Sequence, residues 1–382
     1  LNRVGEAVEK EFPGRVVETL AYQWTRKPPK TMRPRGNVVI RLCSIECCFA
    51  HPFETCDGPH NAAFAEDLRA WGCIADRLWI WNYATSFAHY FVPFPNLRVR
   101  GPNMRFFVEN HVTAVFQQDV YTTPWGELSG LSAFLQAKLL WNPYIDTEAA
   151  IADFLDGVYG PAAGPIGAYI DMIHDRVEHG NIHMGIWQGP AAEYLTDDVL
   201  ASADSLWNDA EARTAGMPDV LERVRIDRLS IDYTILCRGM TRSTAYIVNH
   251  ADPRIDVDPA YTARLDRFCG TANRAGVRRL KEYGYTVDEF RADVEKAVQP
   301  RTIAYAAPMH RPSNQAGLVY RYYEGEWKKP PDFASLKPGM TGTVRRFRLP
   351  IQWTGEGGTV VHGFTLKGVI EIPSDGVYAF SV

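Results

Sequence analysis

The densest group of reactive side chains lies in NVVIRLCSIECCFAHPFETC (37–56), which opens as an apolar run and ends with a carboxylate, four cysteines and a histidine. Glu46 stands just past the apolar run. A carboxylate there can act as a general acid or polarise a substrate, or it can be a loop glutamate paired with an arginine. Cys43, Cys47, Cys48, His51 and Cys56, with His60 beyond, offer thiolates and imidazoles. Zinc requires four such groups converging tetrahedrally, and the spacing here matches no common finger or ribbon. Cysteine is also a frequent buried small hydrophobe, so packing or a local disulfide competes with metal. On this reading Glu46 carries function, the cysteines are structural, no metal or other cofactor is assigned, and a zinc-stabilised domain is kept as an alternative.

A second group sits at the ends of other apolar runs: the aromatics Tyr22, Trp24, Trp79, Trp81, Tyr83, Trp125 and Trp141, and the polar residues Asn82, Gln117, Gln118 and Asp119. Flat rings stack on the apolar face of a pyranose, while amides and carboxylates hydrogen-bond its hydroxyls. The competing reading is that the rings pack the core and the polar groups satisfy loop backbone. Of these, Tyr22, Trp24, Asn82, Tyr83, Gln117, Gln118 and Asp119 are the candidate substrate-binding residues. The sequence has no GxSxG elbow, HExxH, phosphate-binding GxxxxGK[ST] or GxGxxG after a strand, which argues against serine hydrolysis, zincin proteolysis and nucleotide chemistry.

These residues need elements to position them. The segments 15–22, 37–45, 77–83 and 111–118 are short and rich in β-branched or aromatic residues without strict polar alternation, as strands of a parallel sheet buried on both faces are. Helical patterns lie between them at 61–77, 101–110 and 131–142, with Asn61 placed to cap the first. Alternating strands and helices predict α/β architecture, with the C-terminal half of a (β/α)8 TIM barrel preferred over a doubly wound sheet. In such a barrel the working residues stand at the C-terminal strand ends.

From 146 to about 299 the pattern becomes helical throughout, with Asp146 and Thr196 as caps and Gly160, Gly180 and Gly216 as stops. Short aromatic strands divided by Pro/Gly turns follow from 317. The expected domains are therefore a barrel part (1–145), an α-helical domain (146–303), a linker (304–316) and a partial β-sandwich (317–382).

The chain has 382 residues, 46% of them hydrophobic and 12% aromatic, enough for two or three domains. A net charge of −4 gives no reason to expect a nucleic-acid partner, and no apolar run is long enough to span a membrane. A start inside a helical pattern and an end in an apolar strand read as a chain cut at both ends.

The stretches IRLCSIECCFAHPFETC, AFAEDLRAWGCIADRLWIWNYATSFAHYFVPFPNL, NMRFFVENHVTAVFQQDVY, GELSGLSAFLQAKLLWNP and FLDGVYGPAAGPIGAYIDMIH resemble the domain-of-unknown-function 4838 family, which includes glycoside hydrolase family 163. The resemblance implies a (β/α)8 barrel followed by helices, similar to family 20 hexosaminidases and α-glucuronidases. It implies endo-β-N-acetylglucosaminidase action on N-glycans by a retaining route, in which the sugar's own acetamide oxygen attacks the anomeric carbon. An upstream barrel half in cis and an extracellular, periplasmic or cell-surface location follow from the same resemblance. The tail from 317 resembles the start of a protective-antigen-type carbohydrate-binding β-sandwich. Two departures stand out: WNY where the family has WDY places Asn82 at an acidic position, and FQQD where it has FEQG places Gln117 at another. An amide cannot shuttle a proton, so a catalytically impaired glycan-binding protein is the alternative to a glycoside hydrolase.

Overall fold

The computed structural model describes residues 1–249, 254–302, 317–325, 331–344 and 362–368. Helix α1 (Asn2–Glu11) precedes four strands, β1 (Val17–Ala21), β2 (Val38–Cys43), β3 (Leu78–Tyr83) and β4 (Val112–Gln118). They form one sheet in the order β1-β2-β3-β4, and every neighbouring pair is parallel. The crossovers carry α2 (Pro59–Gly72) and α3 (Leu97–Glu109), and α4 (Ser129–Trp141) follows β4. Consecutive strands are adjacent throughout, so the order has no reversal of the doubly wound kind.

The two faces of this sheet differ. Ile40, Leu42, Leu78 and Ile80 point one way and join a single core with Phe64, Leu68 and Trp71 of α2, Phe106 and Phe107 of α3, and Leu131, Leu135 and Leu139 of α4. The alternate residues Glu18, Leu20, Arg41, Trp79, Trp81 and Phe116 point the other way. On this face Leu20 is 45% and Phe116 46% exposed. Arg41 binds Glu18 at 2.7 Å and lies over the rings of Trp79 and Trp81, 5.1 and 5.8 Å from their centroids. Strands expected to be buried on both faces are thus buried on one face in β2 and β3, half-buried there in most of β1 and β4, and covered only in part on the other.

Helix α2 starts two residues before the expected cap, because Gly58 and Pro59 supply the N-cap and the first helical position. Asn61 lies inside the helix and clamps Cys48 instead, accepting from its N–H at 2.7 Å and donating to its C=O at 3.0 Å.

The helical segment comprises α5 (Thr147–Tyr159), α6 (Ala163–His179), α7 (Asp197–Arg213), α8 (Pro218–Gly239), α9 (Pro259–Arg274) and α10 (Val287–Ala297). Asp146 caps α5 by accepting from Ala149 N–H, whereas Thr196 stands at the N-cap of α7 without a side-chain capping bond. Gly160, at φ +49°, ends α5. The segment is not wholly helical: β5 (Tyr246–Asn249), β6 (Arg254–Val257) and β7 (Arg301–Thr302) make a small three-stranded sheet.

No division falls at residue 146. Residues 1–247 and 255–301 form one compact unit, since Tyr159, Tyr169, Trp207 and Tyr233 of the helices join the same core as the sheet. The second unit comprises 248–254 and 302–382. Its described strands β8 (Leu318–Glu324), β9 (Met340–Val344) and β10 (His362–Lys367) form an antiparallel sheet in the order β10-β8-β9. The expected linker, 304–316, lies outside the described residues. Among the described residues no helix is long and apolar enough to cross a membrane.

Candidate functional site

The C-terminal ends of β1, β2 and β3 bring Tyr22, Cys43, Glu46 and Tyr83 into one neighbourhood. Thr25 fixes the exit of β1 by accepting from Tyr22 N–H at 3.0 Å and donating to Tyr22 C=O at 2.8 Å. Tyr83 is buried, with its ring edge-on to Phe49 and Phe87. Burial raises the Tyr83 phenol above its usual range, and the nearby Cys43, Tyr22, Glu46 and Glu282 raise it further. The Tyr22 phenol is raised by burial first, then by Glu46, Cys43 and Tyr283. Burial also pushes the Cys43 thiol up to about 12. These hydroxyls and this thiol are therefore protonated donors at neutral pH, set around an anionic group.

That group, Glu46, is paired with an arginine. Arg26 Nη1 donates to Glu46 Oε2 at 3.0 Å and its Nε to Asp67 Oδ2 at 2.8 Å. Arg26 and Asp67 are buried, while the Glu46 side chain keeps 30% of its exposure. Trp71 Nε1 donates to the Arg26 carbonyl at 2.6 Å. Glu46 is thus a positioned hydrogen-bond acceptor, and it borders a pocket of about 380 Å³ lined also by Cys48, His60, Asn61 and His183. A larger groove of about 500 Å³, lined by Glu9, Arg35 and Arg77 among others, lies at the opposite end of the strands, away from these groups.

The remaining predicted residues divide by face. Gln118 accepts from Trp81 Nε1 at 2.8 Å, and Trp81 meets Phe116 edge-on, so these belong to the open face that leads to Tyr83. Asn82 and Gln117 are register partners on the opposite side. Ser44 Oγ donates to Asn82 Oδ1 at 2.6 Å, and Gln117 Oε1 is buried with no hydrogen-bond partner. Asp119 is absorbed by α4, accepting from Ser132 Oγ at 2.5 Å and Gln136 Nε2 at 2.8 Å; the buried Arg100 donates to the same Ser132 hydroxyl. Trp24 is 89% exposed on the turn after β1. Trp125 is spent on the Ala275 carbonyl, and Trp141 projects from the end of α4 at 92% exposure.

One contributor could not be read from the strand pattern. A tight hairpin closed by the Lys281–Gly284 bridge reaches the loop after β3, with Tyr90 N–H bonding to Leu280 C=O and Glu282 N–H to Phe87 C=O. It brings the buried Glu282 carboxylate, which accepts from Tyr121 OH at 2.9 Å, and the 86% exposed Tyr283. A second carboxylate therefore reaches the Tyr83 neighbourhood from about 200 residues further along the chain.

The cysteines separate into two sets. Cys43 belongs to the strand ends, and Cys47 is fully buried in the core. Cys48, His51 and Cys56 meet His183, from the segment after α6, and the four ligand atoms all lie within 4.8 Å of one another. His60 lines the adjoining pocket but is not among the four.

Residues 1–171 match a protein family described as a domain of unknown function (DUF4838). Comparison with curated proteins and with solved structures gives no match.

Proposed function

Since residues 1–171 match the DUF4838 family, we propose that the strand ends of this chain form part of a glycan-processing site. The activity proposed is hydrolysis of N-acetylhexosamine-containing glycans by a retaining, substrate-assisted mechanism. The observation that carries the reading is the convergence of Tyr22, Glu46 and Tyr83 at the C-terminal ends of consecutive parallel strands, where (β/α)8 enzymes keep their chemistry. The open face bearing Trp79, Trp81 and Phe116 then corresponds to a barrel interior, with the other strands supplied in cis. The antiparallel β8–β10 sheet is read as one layer of a carbohydrate-binding sandwich, and the protein as extracellular, periplasmic or surface-displayed.

Glu46, fixed through one oxygen by Arg26, accepts a hydrogen bond from a sugar hydroxyl or from the acetamide N–H. Tyr22 and Tyr83 donate to sugar oxygens, and Tyr283 offers a ring face. Glu282 is the second carboxylate within reach of Tyr83.

The alternative is a glycan-binding protein with impaired catalysis. Its specific support is that Asn82 and Gln117, each one residue before the end of its strand, are amides, with Asn82 engaged by Ser44. Incubation with aryl N-acetylglucosaminides and with N-glycans, alongside calorimetric titration of the same glycans, separates the two. Turnover that falls roughly 100-fold or more in Glu46→Gln supports the hydrolase. Binding without turnover supports the alternative. Neither binding nor turnover with any N-acetylhexosaminide defeats both.

A further inference from the structure

The Cys48, His51, Cys56 and His183 cluster is not used by the glycan reading, and its four ligand atoms, all within 4.8 Å of one another, are close enough to share a metal ion. Zinc–ligand distances of about 2.3 Å to sulfur and 2.0–2.1 Å to nitrogen, at tetrahedral angles, put neighbouring sulfur and nitrogen ligands roughly 3.6 Å apart. Cys48 Sγ lies 3.4 Å from His51 Nδ1, and Cys56 Sγ lies 3.6 Å from His183 Nδ1. The two imidazoles cross at 63° with centroids 5.1 Å apart, as rings sharing an ion between their Nδ1 atoms can.

The surroundings also suit a metal. Asp57 Oδ1 lies 3.2 Å from Nε2 of His183, the carboxylate–histidine relay that orients a metal-bound imidazole. The N–H groups of Ala50 and Met184 point at Cys48 Sγ, at 3.4 and 3.3 Å, and would support a thiolate. Gly58 leaves room for the cluster: a Cβ there would stand 3.0 Å from His183 Cε1 and 3.4 Å from Cys56 Sγ. A disulfide between the two cysteines would account for neither histidine nor the aspartate.

We infer that Cys48, His51, Cys56 and His183 form a closed, four-ligand structural zinc site, joining the loop after β2 to the segment after α6. Two thiolates and two imidazoles in a tetrahedron favour zinc over hard, oxygen-seeking cations. The loop after β2 and the segment after α6 already share a backbone bond, Phe49 N–H to Met184 C=O at 2.7 Å, and Phe87 N–H, from the loop after β3, ties the latter segment further through Ile186 C=O at 2.9 Å. The ion therefore braces the wall of the pocket beside Glu46, and the inference holds whether or not that pocket takes a sugar.

The test is elemental analysis of the untagged full chain, prepared under reducing conditions with zinc supplied, together with the optical spectrum of the cobalt-substituted protein. About one equivalent of zinc per chain is expected, with tetrahedral d–d bands and thiolate charge transfer in the cobalt form. His183→Ala, a change at a partly exposed side chain, should abolish tight binding. Asp57→Asn should weaken it about 10- to 100-fold, and Cys73→Ser, which alters an exposed cysteine elsewhere, should leave it unchanged. Substoichiometric zinc in the wild type, full retention in His183→Ala, or a Cys48–Cys56 disulfide found by mass spectrometry of the protein as isolated would each overturn the assignment.

Discussion

Arg26 holds two carboxylates of unequal burial, which allows its structural and functional roles to be separated. At 2.8–3.0 Å the gross attraction of each pair is about 5–6 kcal/mol for an effective dielectric near 20. Most of that is offset by the cost of desolvation, and the measurable quantity is what breaking the pair leaves behind. Arg26→Met strands Asp67, whose side chain is 7% exposed, so the expected loss is about 3–5 kcal/mol. Glu46, at 30% exposure, adds little to that figure because solvent screens it. Glu46→Gln is accordingly expected to cost under about 1 kcal/mol. The double variant Arg26→Met/Asp67→Leu, which leaves no buried charge, should recover most of the loss. Urea titration followed by tryptophan fluorescence measures all three, with Trp71 reporting locally through its bond to the Arg26 carbonyl. A Glu46→Gln loss as large as that of Arg26→Met would show that Glu46 is chiefly a structural partner, and a functional assignment for it would fall. An Arg26→Met loss within 1 kcal/mol of zero would instead refute the burial argument for Asp67.

Three further outcomes are expected. Burial raises the Glu127 carboxyl to about 8 and the Asp227 carboxyl to about 7, so the folded protein binds protons more tightly there than the unfolded chain. Their contribution to stability is full below the unfolded values near 4 and is lost as pH rises through about 7 to 8. Glu127→Gln should flatten the fall in stability between pH 5 and 8 seen by chemical denaturation, and an unchanged slope would contradict it. Gly239→Ala places a Cβ 2.3 Å from Tyr261 Cε2 and should cost about 1–3 kcal/mol, whereas Gly157→Ala meets nothing within 4 Å inside α5 and should gain about 0.5–1 kcal/mol. Thermal melts of the two variants moving in the same direction would refute the packing argument. Asp119→Ala removes the acceptor for Ser132 and Gln136 beside the buried Arg100 and should destabilise by about 1–3 kcal/mol, checked by the same melts.

The parallel sheet was legible because its signal is local. The four segments each concentrate β-branched and aromatic residues over about six positions, and the strands Val17–Ala21, Val38–Cys43, Leu78–Tyr83 and Val112–Gln118 lie within the expected bounds. The short strands at Tyr246–Asn249, Arg254–Val257 and Arg301–Thr302 carry too few residues to show a period, and helical patterns surround them. Asn61 illustrates a different failure. Its type suits an N-cap, but the Gly58–Pro59 pair starts the helix earlier, which frees the amide to clamp Cys48. Asp119 looked like a strand-end ligand by position, yet its partners Ser132 and Gln136 come from the next helix, and spacing along the sequence does not reveal that turn of the chain.

The residues that complete both candidate centres come from beyond the strand–helix repeat. His183 supplies the fourth ligand to a set otherwise contained in nine residues, and Glu282 brings a carboxylate to a neighbourhood otherwise built by β1, β2 and β3. Each arrives on a short segment tied to the loop after β3: Ile186 C=O accepts from Phe87 N–H, and Phe87 C=O accepts from Glu282 N–H. Phe87 therefore joins the two segments through its own peptide groups, while its ring packs on Tyr83 with centroids 5.8 Å apart. A shift of that loop would move the cysteine–histidine cluster, the second carboxylate and the buried phenol together. The helical segment thus acts as the element that closes the strand ends, which accounts for the single core it shares with the sheet.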